Sequence, residues 1–366
     1  MTSLGKIFGF GLVILAAVEI SASGTARPSH APKSAYHKKT VSRRSIPAPK
    51  ALSDRIDALG SGFDGSVGIA VKSIDEDWET GWKDDELYPQ QSVSKLWVSI
   101  TALDAVDRKR VSLDDKVTLT TADLTLFHQP IADEVLKDGS YTTNIEDLLE
   151  RAITTSDNTA NDKLMRSVGG PAAVRAMISR KHLGAIRFAN GERALQSRIA
   201  GVTWSQDYSI GSKFFEVRDA LPVALRSAAF NRYLASPYDG AAPRAIVNAL
   251  SKLKRGELLS AASTAHLLDI MSHTHTGPNR LRGGLEPGWT LSHKTGTGQE
   301  LAGIQAGYND IGILTAPDGR SYAVAVMIKK TSTPLPVRMT LMNNVVQAVI
   351  VEHDHGVAAN VTSVPR

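Results

Sequence analysis

Ser92-Val93-Ser94-Lys95 sets a hydroxyl and an amine three residues apart, where a helix brings both to one face. A lysine whose pKa is lowered by burial or by a second cation takes the proton of a serine hydroxyl, and the oxygen then attacks a carbonyl carbon. At a helix N-terminus, backbone N–H groups also point toward the negative charge that develops. The same residues read equally as an ordinary helix start, with Ser as the cap and Lys in solvent. The spacing recurs at Ser3–Lys6 and at Ser251–Lys254, so alone it decides nothing.

Two further clusters occur once each. Ser156-Asp157-Asn158 lies where two expected helices meet, and all three residue types are good helix caps. Lys294-Thr295-Gly296-Thr297-Gly298 ends an expected strand, where glycines let a backbone lie against a ligand flanked by a charge and a hydroxyl. Each is common in isolation. Their order along the chain is the informative property.

These groups need elements to hold them. A helix is expected over Pro49 to Gly60, a strand over Ser66 to Lys72, and a hairpin partner over Trp78 to Trp82. Leu96, Trp97, Ile100, Leu103 and Val106 recur at helical spacing after Val93, predicting an amphipathic helix that ends at Arg108-Lys109-Arg110. A helix from Ile145 to Ile153 is capped by Thr143 or Asn144, and Pro171 opens another that runs to Arg180. Residues 197–240 read as irregular and aromatic. Helices follow at Pro243 to Arg255 and Ala261 to Met271, then strands at Trp289 to Thr295, Gly303 to Leu314 and Ser321 to Lys329, and a last helix from Leu335 to Val351. Strands at both chain ends around a helical middle imply two lobes. One is an antiparallel sheet flanked by terminal helices, the other is all-helical, and the cleft between them is the expected ligand site.

Ser92-x-x-Lys95, Ser156-Asp157-Asn158 and Lys294-Thr295-Gly296, in that order, resemble the three motifs of class A β-lactamases and penicillin-binding proteins. The resemblance runs from about residue 51 to 352 and includes the contexts Ile153 to Asn161 and Trp289 to Gly298. It implies an α/β two-lobe fold and a hydrolase that needs no cofactor and no metal. Ser92 would be the nucleophile and Lys95 its activator. Ser156 would pass a proton to the leaving nitrogen, with Lys294 beside it. Backbone N–H groups of Ser92 and Thr297 would form the oxyanion hole. Asn158 would bind the substrate's amide side chain, Thr295, Gly296 and Lys294 its carboxylate end, and Phe127 would stand at the cleft rim.

The deacylating base separates a hydrolase from a slowly released penicillin-binding protein or a β-lactam sensor. Glu192-Arg193-Ala194-Leu195-Gln196 resembles the family's Glu-x-x-Leu-Asn, with Gln196 for Asn and Asn190 where an Arg is common. Asp207 and Glu216 are the substitutes for Glu192 if the loop is rebuilt. Rebuilding is expected, because roughly thirty residues beyond the family's usual length lie between Gln196 and Ala242, a long run for a compact domain. That segment reads as a lid, an enlarged loop or an oligomer contact, or as a satellite packed on the core. No Arg follows the third motif within Gly298 to Gly307, so Arg280 takes the substitute place for pairing a carboxylate.

The remaining features bound the setting. Residues 1–26 have the order of a cleaved secretory signal: Lys6, an apolar run from Ile7 to Val18, then small residues. The run is too short for a stable membrane span. Residues 27–50 form a basic linker carrying +7, which against the whole-chain charge of +5 leaves residues 51–366 near −2 and gives nucleic-acid binding no support. Residues 353–366 are read as a tail. The chain has no cysteine and no His-x-His-x-Asp-His run, which argues against disulfides and catalytic zinc. The expectation is a periplasmic or secreted monomer acting on a small-molecule β-lactam: α/β lobe from 51–90 and 285–352, helical lobe 91–284, insertion about 197–240.

Overall fold

The computed structural model describes residues 46–362; the expected leader and the basic stretch as far as residue 45 lie outside the described residues. Along the chain run α1 (Lys50–Ser61), β1 (Ser66–Ser73), β2 (Glu79–Trp82) and the two-residue β3 (Tyr88–Pro89), then a 3-10 turn (Gln91–Ser94) that leads into α2 (Lys95–Asp107). Next come β4 (Lys116–Thr120), α3 (Ala132–Asp138), β5 (Ser140–Asn144), α4 (Ile145–Thr154), α5 (Asn158–Ser167) and α6 (Gly170–Arg180). After them stand α7 (Glu192–Ala200), α8 (Lys213–Ala220), α9 (Val223–Ala235), β6 (Gly240–Ala241), α10 (Pro243–Lys254) and α11 (Ala261–Ser272). The chain closes with β7 (Thr290–Thr297), β8 (Glu300–Leu301), β9 (Ile304–Thr315), β10 (Ser321–Thr331) and α12 (Leu335–Thr362).

The main sheet is antiparallel in the order β2-β1-β10-β9-β7, with β8 paired to β9. Both its faces are buried, and alternation sorts the side chains. On β10, Val324, Val326 and Ile328 join the core under α1 and α12, while Ala323, Ala325 and Met327 join the core of the helical lobe. The two chain ends therefore build one lobe, as their patterning predicts. The helical lobe also carries a two-stranded ladder of β4 and β5.

Three expectations change. The helix after Ser92 is not amphipathic: every residue from Lys95 to Asp104 is buried, so α2 is the axis of the helical lobe. Its polar residues survive burial because Ser99 and Thr101 donate to the carbonyls of Lys95 at 3.0 Å and Trp97 at 2.7 Å. The last helix passes Val351 and continues to Thr362, because buried His353 still packs against Trp289 and Tyr322. Residues 197–240 are mostly helical. In α9, Ala229, Phe230, Tyr233 and Leu234 fall on one buried face, an i, i+1, i+4, i+5 pattern hidden by the aromatic composition. The cap at α4 resolves to Asn144, whose side chain accepts from Asp147 N at 2.9 Å.

Candidate active site

The turn at Gln91–Ser94 brings Ser92 to the edge of β7. Gln91 sits at φ +53°, a left-handed conformation that costs energy in a non-glycine residue and here turns the chain into α2. Gly296 makes the approach possible. A Cβ there would lie 2.3 Å from Gln90 O, so a side chain would push β7 away from the turn that carries Ser92. Asn309 on β9 clamps the same turn by donating to Pro89 O at 2.7 Å and Gln90 O at 3.1 Å.

Lys95 is fully buried, and its ammonium nitrogen donates to Ser156 O at 2.6 Å, Ser156 Oγ at 3.2 Å and Asn158 Oδ1 at 2.5 Å. Burial pushes its pKa down, partly opposed by the nearby Glu192, Asp157 and Asp162 carboxylates. Lys294, equally buried, donates to Ser156 Oγ at 2.9 Å and is held well below its usual pKa by burial and by the neighbouring Lys95 charge. Ser156 thus stands between two amines, and it too adopts a left-handed φ, +62°. Asp157 N-caps α5 through Ala160 N at 2.9 Å and also accepts from Ile131 N at 2.6 Å, which pins the motif to the wall of the helical lobe. Asn158 is fixed in turn by donating to Leu126 O at 2.7 Å. No side chain among the described residues hydrogen-bonds the Ser92 hydroxyl.

Glu192 is buried at the start of α7, its Oε1 3.9 Å from Lys95 Nζ. Its backbone N–H is shared by the two Asp162 oxygens, each at 3.1 Å. Gly191 has φ +90°, and a Cβ there would meet Asp162 Oδ2 at 2.9 Å. Gln196, one helical turn on, donates to Glu192 Oε2 at 3.1 Å. The substitute carboxylates stay away: Asp207 and Glu216 are exposed, and Glu216 accepts from Ser212 instead.

Above these groups opens a cavity of about 490 Å³ lined by Ser92, Phe127, Ser156, Asn158, Glu192, Arg280, Thr295 and Thr297, with Phe215 and Arg218 contributed by α8. Thr295 Oγ1 lies 2.6 Å from Thr276 Oγ1. Phe127 packs edge-on against Phe214 at 5.3 Å between ring centres, so the rim aromatic rests on the 197–240 segment. Arg280 lines the cavity but is largely engaged, donating to Thr297 Oγ1 at 2.6 Å, Asn309 O at 2.7 Å and Gly296 O at 3.1 Å. His293 turns from the cleft to Asp310, 2.9 Å away, as strand alternation predicts.

The model of the beta-lactamase enzyme family matches residues 51–353. The chain belongs to this family. Among its relatives is beta-lactamase VEB-1 of Pseudomonas aeruginosa, 25% identical over 280 residues that span 76% of this chain and 82% of that protein. Extended-spectrum beta-lactamase PER-1 of the same organism is 27% identical over 283 residues, 77% of this chain and 80% of the relative. Among solved structures, a beta-lactamase from Chitinophaga pinensis superposes with a TM-score of 0.68 at 26% identity, covering 82% of this chain and 99% of that one. Ser92, Phe127, Ser156, Asn158, Glu192, Arg280, Thr295 and Thr297 line one cavity of this fold, and Lys95 and Lys294 meet behind it on Ser156. Sequence reasoning missed Gln91, Asp162, Tyr233 and Asp239, which hold the machinery from behind. Asp162 had a signal, since it follows Asn158 by four residues on one helix. Tyr233 and Asp239 had none, because Gln91, the residue through which they act, lies more than a hundred residues away.

Proposed function

We propose that the protein is a serine β-lactamase that opens the cyclic amide of a β-lactam through an acyl-enzyme on Ser92. One observation carries the hydrolase over a slow acyl-acceptor: a buried carboxylate, Glu192, stands beside Lys95 at the cleft that Ser92 lines. Release of an acyl group needs a base that can take a proton from water next to the ester, and Glu192 occupies that place.

In acylation, Ser92 Oγ bonds to the lactam carbonyl carbon while its proton passes to the Lys95 amine, directly or through a water held by Glu192. Burial of Lys95 favours the neutral amine this step requires. The negative charge on the carbonyl oxygen is met by the backbone N–H groups of Ser92 and Thr297. The C–N bond then breaks as Ser156 gives its hydroxyl proton to the ring nitrogen and recovers one from the flanking amines. Because Ser156 Oγ accepts from both Lys95 and Lys294, its own hydrogen is left to point into the cleft. In deacylation Glu192 takes a proton from water, the hydroxide attacks the ester, and the proton returns to Ser92 Oγ. Thr295, Thr297 and Arg280 receive the substrate carboxylate, Asn158 its amide side chain, and Phe127 stacks at the rim.

Among the described residues no helix is long and apolar enough to cross a membrane. The basic, apolar, small-residue order of residues 1–26 supports export, and we place the monomeric enzyme in the periplasm or outside the cell. The test is a time course with a chromogenic cephalosporin read beside intact mass. Sustained turnover with a transient adduct on Ser92 is expected. A burst that stalls with a stable adduct would assign the protein to the penicillin-binding or sensor class instead.

A further inference from the structure

We infer that Tyr233, supplied by the segment between residues 197 and 240, is a positioning residue for deacylation: with Asp239 it sets the orientation of Gln91 and Gln196 and thereby the hydrogen bond that Gln196 gives to Glu192. The inference rests on the function proposed above and assigns that segment a part in it.

The five groups form one continuous buried chain. Asp239 Oδ2 accepts from Gln91 N at 2.7 Å, and Asp239 Oδ1 accepts from Tyr233 OH at 2.9 Å. Tyr233 OH accepts from Gln91 Nε2 at 2.5 Å. Gln196 Nε2 donates to Gln91 Oε1 at 3.0 Å and to Glu192 Oε2 at 3.1 Å. Tyr233 and Asp239 are wholly shielded from solvent, and Gln91 and Gln196 nearly so.

The direction of the chain follows from its two ends, the Asp239 and Glu192 carboxylates, neither of which donates when ionised. An ionised carboxylate only accepts, so the Tyr233 hydroxyl must point its hydrogen at Asp239 and offer a lone pair to Gln91. That lone pair takes the Gln91 NH2 group and leaves the Gln91 carbonyl facing Gln196. Gln196 answers with its own NH2 group, which is shared with Glu192. Gln196 Oε1 is then turned to Gln299, whose Nε2 lies 3.0 Å away. Reversing any link would bring an amide oxygen against the Glu192 carboxylate. The same anchor holds the backbone N–H of Gln91, the left-handed residue immediately before Ser92. Tyr233 and Asp239 thus reach both the nucleophile's turn and the base from behind, without lining the cavity.

Tyr233→Phe deletes the hydroxyl and keeps the ring. Asp239→Asn keeps every heavy-atom position but must offer an NH2 group to Tyr233, which reverses the donor order. Acyl-enzyme accumulation on a chromogenic cephalosporin, by quenched intact mass, is compared with steady-state constants for both variants and the unaltered protein. Tyr233→Phe removes both bonds of that hydroxyl, and loss of the one hydrogen bond they order, from Gln196 to Glu192, predicts a fall of roughly 10-fold in the deacylation rate. kcat and KM then drop together, kcat/KM stays nearly constant, and the adduct builds up during turnover, more so for Asp239→Asn. A merely structural role would lower the melting temperature without this split. Equal losses in acylation and deacylation, or no adduct build-up, overturn the inference; Asp239→Asn gives the same reading if Tyr233→Phe does not fold. An unaltered protein that does not turn over would sink the proposed function itself, a result distinct from turnover without a variant effect.

Discussion

Ser92–Lys95 and Ser251–Lys254 share one spacing and lie in different chemical worlds. In each, the lysine stands three residues after the serine, and three residues is one helical turn. On α10, Ser251 is buried with its hydroxyl unpartnered among the described residues, and Lys254 is half-buried at the end of the helix. At the start of α2, Lys95 is enclosed and held by Ser156 and Asn158, with Glu192 beside it and Ser92 open to the cavity. Helical spacing brings a hydroxyl and an amine to one face. It does not bury the amine, supply a second cation or provide a base; the enclosing Ser156, the cation Lys294 and the base Glu192 all come from far along the chain. A nucleophile is made by its tertiary surroundings.

The comparison breaks most sharply at its reactive member. Ser92→Ala is expected to lose turnover by on the order of 10⁴-fold or more and to take no label from a penicillin. Label on the alanine variant, seen by intact mass, would move the nucleophile elsewhere. Glu192→Gln removes the base while leaving Ser92 and Lys95 in place, so acylation should persist and deacylation fall by about 10²- to 10⁴-fold. A mass adduct stable over minutes is the sign to look for, and unchanged turnover would return the base to a residue outside this cluster. Arg280→Ala should raise KM for carboxylate-bearing β-lactams by about 10-fold, the value of a charge-assisted hydrogen bond. Its bonds to Thr297, Gly296 and Asn309 provide the competing outcome. If an uncharged ester analogue suffers the same loss, Arg280 acts by holding β7. Ser251→Ala closes the series. Its hydroxyl is buried and unpartnered, so kinetics should not change and stability should shift by no more than ~0.5 kcal/mol. Lost labelling in that variant would end the distinction between the two copies.

Much of the fold was legible because it is local. β1, α4, α10 and the closing strands lie within a residue or two of the periodicity that announced them. α2 was legible in place but not in burial, because a helix buried on all sides carries apolar residues at no preferred face. The 197–240 segment escaped for a different reason. Its aromatics serve two small cores, one joining α7 and α9 to β9 and one under the rim at Phe214, so no single periodicity runs through it. The same segment supplies Phe215 and Arg218 to the cavity and Tyr233 to the polar chain behind Gln91.

The amino-acid order by itself determined which side chains were candidates for the chemistry: Ser92, Lys95, Ser156, Asn158, Glu192 and Lys294. Three motifs in one order survive as text, because each needs only a few consecutive residues to shape a turn or a strand end. The tertiary structure alone decided that Lys95 is dry, that Ser156 lies between two amines, that Glu192 rather than Asp207 or Glu216 faces the cleft, and that Arg280 is occupied by the strand it borders. Burial and hydrogen-bond partnership are properties of segments brought together from far along the chain. They set the pKa of an amine and the direction of an amide, and no spacing within a motif encodes either.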